Sequence, residues 1–380
     1  MIKKILIVVC VLWASLYPIY TNFYTGKGID QYERHMQFLS GESLFYNPWQ
    51  YRVLMPWTVE AMYFVYNHTV NKVFDIEKKV TVMLPGDEGT KYENTRKMLA
   101  LMKTPGFIRY NIVFVTLRVV LHLGIFFMCF QLYRLFIKND WLIVFGLMFV
   151  ALSMGNSIFN SDLSFNTYMD VLLYLVAAWV IVTNQNIWWM LPIMIIGALN
   201  RETSALILVL FMVAKIPVER VWDVALFKWK SWPVKEIVVS VVAGVAFMAI
   251  ILTIRDYFGY REAQKWPVPM GLPNLKWNFA SIHTIRTIFE NVGTYSILPI
   301  ICILGFNKLN MFFQKGLIFI ALPWFAVHYW TVVGYESRIF MMPAFLLFVP
   351  AALTLLERSV NNIATQQKTS IRAHAPAEAS

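Results

Sequence analysis

The chain has 380 residues, 58% of them hydrophobic and only 14% charged, with a formal net charge of +11. Soluble domains average roughly 45–50% apolar and about 25% charged residues, so a soluble globular protein is excluded. The excess of Lys and Arg then points to membrane topology and anionic headgroups, not to nucleic acid.

Lys3 and Lys4 precede an apolar run from Ile5 to about Tyr20. Bulky Tyr17, Tyr20, Phe23 and Tyr24 occupy the place where a signal peptide carries small residues, so the run reads as an uncleaved first helix with its N-terminus in the cytoplasm. Residues 22–107 form a long first external loop. Within it, Val53–Val65 is short for a span and carries Glu60, and reads as an interfacial helix with Trp57, Tyr63 and Tyr66 at headgroup level. Residues 70–105 read as a soluble lid or loop, with Pro85-Gly86 and Pro105-Gly106 as breakers. Further spans are expected at about 108–137, 140–158, 164–183, 187–199, 204–215, 236–256, 284–306, 316–333 and 339–356. The fold class is therefore an all-α polytopic membrane protein of about ten transmembrane helices, whose long first external loop carries interfacial helices. Residues 1–358 make a single membrane domain, and 359–380 a disordered cytoplasmic tail. The basic loops at 134–138, 215–235 and 308–315 and the tail then share the N-terminal side, the positive-inside pattern.

Residues 187–215 admit two readings. Two short helices meeting below the outer surface preserve this topology, whereas one long helix with Asn200, Arg201 and Glu202 at its middle inverts everything downstream. The two-helix reading is preferred, since irregular backbone at membrane depth is tolerated where it lines protein or a water-filled cavity. Cys10, Cys129 and Cys302 all lie in apolar runs and give neither a disulfide framework nor metal-ligand spacing.

Four polar clusters face outward in this topology. Asp30, Tyr32, Glu33, Arg34 and His35 follow the first helix, and a carboxylate there suits a general base for an incoming hydroxyl. Arg52, set between Pro48 and Pro56 beside Trp49 and Tyr51, suits phosphate recognition by a fixed guanidinium. Asn200, Arg201 and Glu202 place charge at membrane depth, which marks a functional site. Glu336 and Arg338 stand at the outer mouth of the last two helices. Asp162 and Asp170 flank the outer end of the fourth helix, with Asp170 as a sugar or cavity contact. Arg118 and His122, four apart, read as an inward-facing structural pair. The loop 257–283, with Trp266 and Trp277, reads as a second lid carrying a sugar-stacking tryptophan.

At these residues the chain resembles the GT-C class of integral-membrane glycosyltransferases. Asp30, Tyr32, Leu39–Gly41 and Pro48–Pro56 run in similar order to that class's first loop, and Arg338 followed by Pro343 resembles its final arginine-then-proline region. The resemblance implies transfer of a sugar from a polyprenyl-phosphate donor to a lipid-linked glycan, polysaccharide or protein acceptor, with inversion. Asp30, or Glu33 in its place, is then the base. Arg52, Arg201 and Arg338 meet the leaving phosphate, and Tyr32, Arg34, His35, Trp49, Tyr51, Asp170, Asn200, Glu202 and Glu336 contact substrate. The partners implied are membrane lipid, the lipid-phosphate sugar and its acceptor. No cofactor is implied beyond that donor, and no DxD or ExD pair near Asp30 indicates a divalent metal. The expected location is a bacterial inner membrane with the site facing outward. The alternatives are a flippase for a lipid-linked glycan, which predicts polar residues spread through the bilayer depth; a polysaccharide polymerase, with its large loop later in the chain; and an acyltransferase, for which His35 is the outer-loop candidate.

Overall fold

The computed structural model describes residues 2–25, 27–41, 49–83, 93–161, 165–260 and 268–374. It is all-helical, with no strand among the described residues, and seven of the described helices are long and apolar enough to cross a membrane. The first is α1 (Ile2–Tyr24). It leads straight into α2 (Lys27–Ser40), a polar amphipathic helix whose Ile29, Tyr32 and His35 are buried.

The first loop is mostly helical. After a single turn at Trp49–Tyr51 comes α3 (Leu54–His68), the segment expected to lie at the interface. Its Met55 and Val59 are buried, while Trp57, Phe64 and Val65 are exposed. The segment 70–105, expected as a loop, instead contains α4 (Val70–Val73), α5 (Ile76–Met83) and α6 (Glu93–Met102). Pro85 and Gly86 lie outside the described residues. Glu77 ties α5 down: it accepts from the Gly106 amide at 2.7 Å and pairs with Arg109 at 3.1 Å.

Three long helices follow: α7 (Phe107–Tyr133), α8 (Asp140–Ser161) and α9 (Phe165–Val182). At 27 residues, α7 is about 40 Å long, enough for a hydrocarbon core of about 30 Å. α1 packs closely on α8 because Gly155 has no side chain. A Cβ there would lie 2.2 Å from the Tyr17 ring.

Residues 187–215 form two helices, α10 (Met190–Asn200) and α11 (Leu206–Lys215). Their ends show that the chain doubles back. Asn200 and Asn166 exchange side-chain amide bonds to each other's backbone carbonyl at 3.0 Å, which fixes one end of α10 to the start of α9. Lys215 Nζ donates to Ile181 O at 3.0 Å and Asn184 Oδ1 at 2.6 Å, which fixes the far end of α11 to the opposite end of α9. The pair is thus a hairpin along α9 and not one long helix. Its tip is tight: a Cβ on Gly197 would lie 2.8 Å from Ser204 Cβ.

α12 (Val234–Phe258) packs on both limbs of the hairpin and turns most of its surface outward, with Val241, Val245, Met248 and Leu252 exposed. α13 (Leu272–Phe279) is a short helix in the loop expected as a second lid. Trp266 of that loop lies outside the described residues. Trp277 of the same loop stacks its ring on His283 at 3.9 Å.

The span expected at 284–306 is broken into α14 (His283–Tyr295) and α15 (Leu298–Leu304), bent by 72°. Pro299 is the physical cause: it lacks an N–H and its ring clashes with the carbonyl four residues back. Ser296, in the left-handed region at φ 50°, makes the corner. The next span, Met311–Thr331, comprises α16 (Met311–Gly316), a π-turn and α17 (Leu322–Thr331). The last, Ser337–Ile363, is the most enclosed. It runs through α18 (Met341–Pro343) and a second π-turn into α19 (Val349–His374). The tail from 359, expected to be disordered, continues this helix to His374, with no Gly or Pro between Ala351 and His374 to stop it. Seven spans, or eight with the bent pair, are fewer than the ten expected, because the hairpin limbs are too short to count. Cys129 and Cys302 are buried as small apolar residues.

Candidate functional site

The site begins with the periodicity of α2. Side chains three and four apart on a helix share a face, and α2 directs Gln31, Arg34, His35 and Phe38 into one pocket. The opposite wall comes from the Trp49–Tyr51 turn and the start of α3, through Trp49, Gln50, Arg52 and Met55, and the floor from Phe114, Phe165 and Asn166. The open volume is ≈ 90 Å³. A water needs about 10–15 Å³ by this measure, so the pocket holds several waters or a small anionic group.

Trp49 is the hub of the cationic side. Its ring lies 4.6 Å from the Arg52 guanidinium carbon, 5.4 Å from that of Arg34 and 5.4 Å from that of Arg338. Cations over an indole face are attracted by the ring quadrupole, by about 0.5–2 kcal/mol each. Carboxylates set the angles of two of these groups. Glu202 accepts from Arg52 Nη2 at 3.1 Å, and Glu336 faces Arg338 Nε at 3.2 Å. Burial pulls the Arg52 guanidinium down to about 10; Glu202 opposes this, and neighbouring Arg201 and Arg338 add to it. The group stays charged at neutral pH, as a desolvated cation among cations.

Arg201 sits at the hairpin tip, where extended backbone (φ −166°, ψ 143°) ends α10. The tip is clamped by Asp170, which accepts from Thr203 Oγ1 at 2.9 Å and Ser204 Oγ at 2.7 Å and lies 4.0 Å from Arg201 Nη1. Tyr174 Oη donates to Thr203 O at 2.6 Å. Arg201 Nε is buried with no hydrogen-bond partner among the described residues. A crevice lined by Tyr51, Arg52, Ala198, Arg201 and Ile251 runs from these arginines toward α12.

The non-cationic wall holds His35. Its Nε2 lies 2.7 Å from Glu60 Oε1, and Tyr110 Oη donates to the same oxygen at 3.0 Å. The imidazole is wedged edge-on against Phe114 at 5.7 Å and tilted against Tyr110 at 5.3 Å. Burial lowers the His35 pKa, against the opposing pull of Glu60, and so favours the neutral ring.

The expected site residues therefore divide. Arg34, His35, Trp49, Arg52, Arg201, Glu202, Glu336 and Arg338 come together although they span some 300 residues of sequence. Asp170 and Asn200 stand behind them as clamps of the hairpin, not as pocket lining. Tyr51 lines the crevice, and its hydroxyl donates to Gly259 O at 3.0 Å. Tyr32 is a core residue, edge-on to Phe107 at 4.8 Å. Asp30 and Glu33 are exposed on the outer face of α2 and do not line the pocket. Asp162 lies outside the described residues. Arg118 and His122 are buried in the bundle, as their spacing implies; Arg118 Nη2 donates to Gln31 Oε1 at 3.3 Å. Asn166, in the polar cluster at the outer end of the fourth predicted helix, lines the pocket; the sequence reading missed Gln31 and Gln50 as lining, and Glu60 as the partner of His35. No protein-family model, curated protein or solved structure matches this chain, so its site is read from its own residues.

Proposed function

We propose that the arginine pocket binds the phosphate of a polyprenyl-phosphate sugar, and that the protein transfers the sugar to a hydroxyl of a glycan or protein acceptor at the outer membrane face. One observation carries this reading: Arg34 and Arg52 of the first loop and Arg338 at the start of the last span converge on Trp49, and Arg201 of the hairpin tip lines a crevice together with Arg52. A guanidinium fork matches phosphate oxygens two at a time, and charge-assisted bonds of this kind are the strong ones. As the glycosidic bond breaks, the departing phosphate gains charge, and cations already held in place stabilise that state without reorganising. Beside the arginines a small crevice of ≈ 10 Å³ is walled by apolar Ala198, Ile251 and Ile254.

The proposal extends to the finer topology. With the hairpin limbs and the bent α14–α15 pair counted as membrane-embedded segments the total is ten, and in this reading residues 22–107, 257–283, the hairpin tip and 334–338 are on the outer side. Residues 216–235 and the end of α19 are then cytoplasmic.

The test measures binding of a synthetic polyprenyl phosphate, and of the matching polyprenol, to the purified chain in zwitterionic nanodiscs. Wild type should prefer the phosphate, and Arg52→Ala or Arg338→Ala should lose about 10–100-fold of its affinity, the value of a charged hydrogen bond. Equal affinity of wild type for phosphate and alcohol would overturn the reading.

A further inference from the structure

A transferase of this kind needs, besides cations for the leaving group, one group that takes the proton of the attacking hydroxyl. The pocket restricts the choice. Among the described residues its lining carries no carboxylate, and three described carboxylates around it are committed: Glu202 to Arg52, Asp170 to Thr203 and Ser204, Glu336 to Arg338. Asp30 and Glu33 are exposed and do not line the pocket. His35 is the one described lining side chain able to accept a proton near neutrality.

We propose that His35, oriented by Glu60, is the general base of the transfer. The assignment deepens the lipid-phosphate reading and rests on it. Glu60 Oε1, 2.7 Å from Nε2, holds the ring proton on that nitrogen, which leaves Nδ1 as the basic atom. Tyr110 donates to the same Glu60 oxygen and holds the carboxylate in place, while Phe114 fixes the ring plane. Arg34 and Arg52 line the same pocket, so base and phosphate site share one small volume. In the reaction the acceptor O–H proton moves to His35 Nδ1. The oxygen forms a bond to the anomeric carbon, and the bond from that carbon to the phosphate oxygen breaks with its electron pair. Lipid phosphate leaves among the arginines, and the imidazolium later returns its proton to solvent. No co-reactant is needed. Glu60 is a positioning residue, since it touches the base and not the substrate.

The titratable and charged groups around the ring are Glu60 on α3, Tyr110 on α7, Arg34 beside it on α2, and Arg52 across the pocket. The working form is neutral, so turnover should rise from acid toward neutral pH with a single deprotonation. The experiment follows release of polyprenyl phosphate from synthetic polyprenyl-phosphate hexoses, with a lipid-linked glycan as acceptor, by the full chain in nanodiscs. His35→Gln should lower kcat by about 10²–10⁴-fold and abolish the acid limb, while phosphate binding is unchanged. Glu60→Gln should lower kcat less and move the acid limb to lower pH, because the carboxylate that favours the imidazolium is gone. This second variant keeps the test alive if His35→Gln fails to fold. Near-normal kcat with an unchanged acid limb in the foldable variants would overturn the assignment, as would a dead Asp30→Asn beside an active His35→Gln. Wild type that binds the phosphate lipid without turnover overturns the base assignment and leaves the phosphate site standing. Wild type with no phosphate preference overturns the parent reading.

Discussion

The two ends of the helix bundle both bury cations, and they do so differently. At the end holding Lys215 and Lys315, each ammonium is consumed by the fold. Lys315 Nζ donates to Ile216 O at 2.5 Å and Ala214 O at 3.3 Å, at the C-terminus of α11, and Lys215 closes the end of α9 in the same way. Carbonyls at helix C-termini carry partial negative charge and otherwise lack partners, so lysines there are structural caps. At the other end, Arg34, Arg52 and Arg338 are packed against one indole and line or border an open pocket. Burial of charge alone therefore does not mark a site; what marks it is cations gathered around a space that an anion can enter.

This contrast predicts opposite outcomes for substitutions at the two ends. Arg52→Ala should remove about 10–100-fold of polyprenyl-phosphate affinity, with little change in thermal stability, because it also relieves repulsion from Arg201 and Arg338. Lys315→Met should do the reverse: about 1–3 kcal/mol of stability lost through unpartnered carbonyls of Ala214 and Ile216, and affinity within about 2-fold of wild type. Paired thermal-shift and binding measurements in detergent check both. Loss of lipid-phosphate affinity in Lys315→Met would erase the distinction between the ends.

A smaller effect sharpens the geometry. Arg338→Lys keeps the charge but loses the planar fork, and the shorter reach of an ammonium weakens its contact with Trp49. Affinity should fall by about 5–10-fold, less than for Arg338→Ala. Equal affinities of the Lys variant and wild type would mean that only net charge matters there.

The membrane class and most segment positions were legible because each rests on a long apolar run. Arg52, Arg201 and Arg338 stand out in the sequence because each interrupts apolar or aromatic sequence near a membrane boundary, where an unpaired charge is costly. The hairpin was legible from the shortness of its halves, though only the Asn166–Asn200 and Lys215–Ile181 contacts exclude a single helix. The break at Pro299 carried a local signal that was passed over. The orientation of α2 was not read. A helix from Lys27 lines the pocket with Gln31, Arg34, His35 and Phe38 and leaves Asp30 and Glu33 exposed at its flank, whereas residue type alone points to the carboxylates. Glu60 was seen only as a charge on an interfacial helix, because its pairing with His35 crosses 25 residues and exists only after α2 and α3 have packed on α7.

The smallest expected effect concerns the indole itself. Aromatic side chains stand at both ends of the bundle: Trp49 beneath three guanidinium groups, and Trp222 exposed in the basic 216–235 loop. A tryptophan that merely anchors the chain at headgroup level contributes apolar surface, which phenylalanine largely retains. One that holds cations contributes its quadrupole, which is weaker in phenylalanine, and the difference lies within the about 0.5–1 kcal/mol range of an exposed cation–π contact. Trp49→Phe should therefore weaken polyprenyl-phosphate binding by about 2–5-fold, because the arginines lose part of what keeps them pointed at the pocket. Trp222→Phe should leave that affinity unchanged. Binding isotherms on the two variants at one ionic strength make the comparison, and equal affinities in both would reduce Trp49 from an organiser of the cationic cluster to one more interfacial anchor.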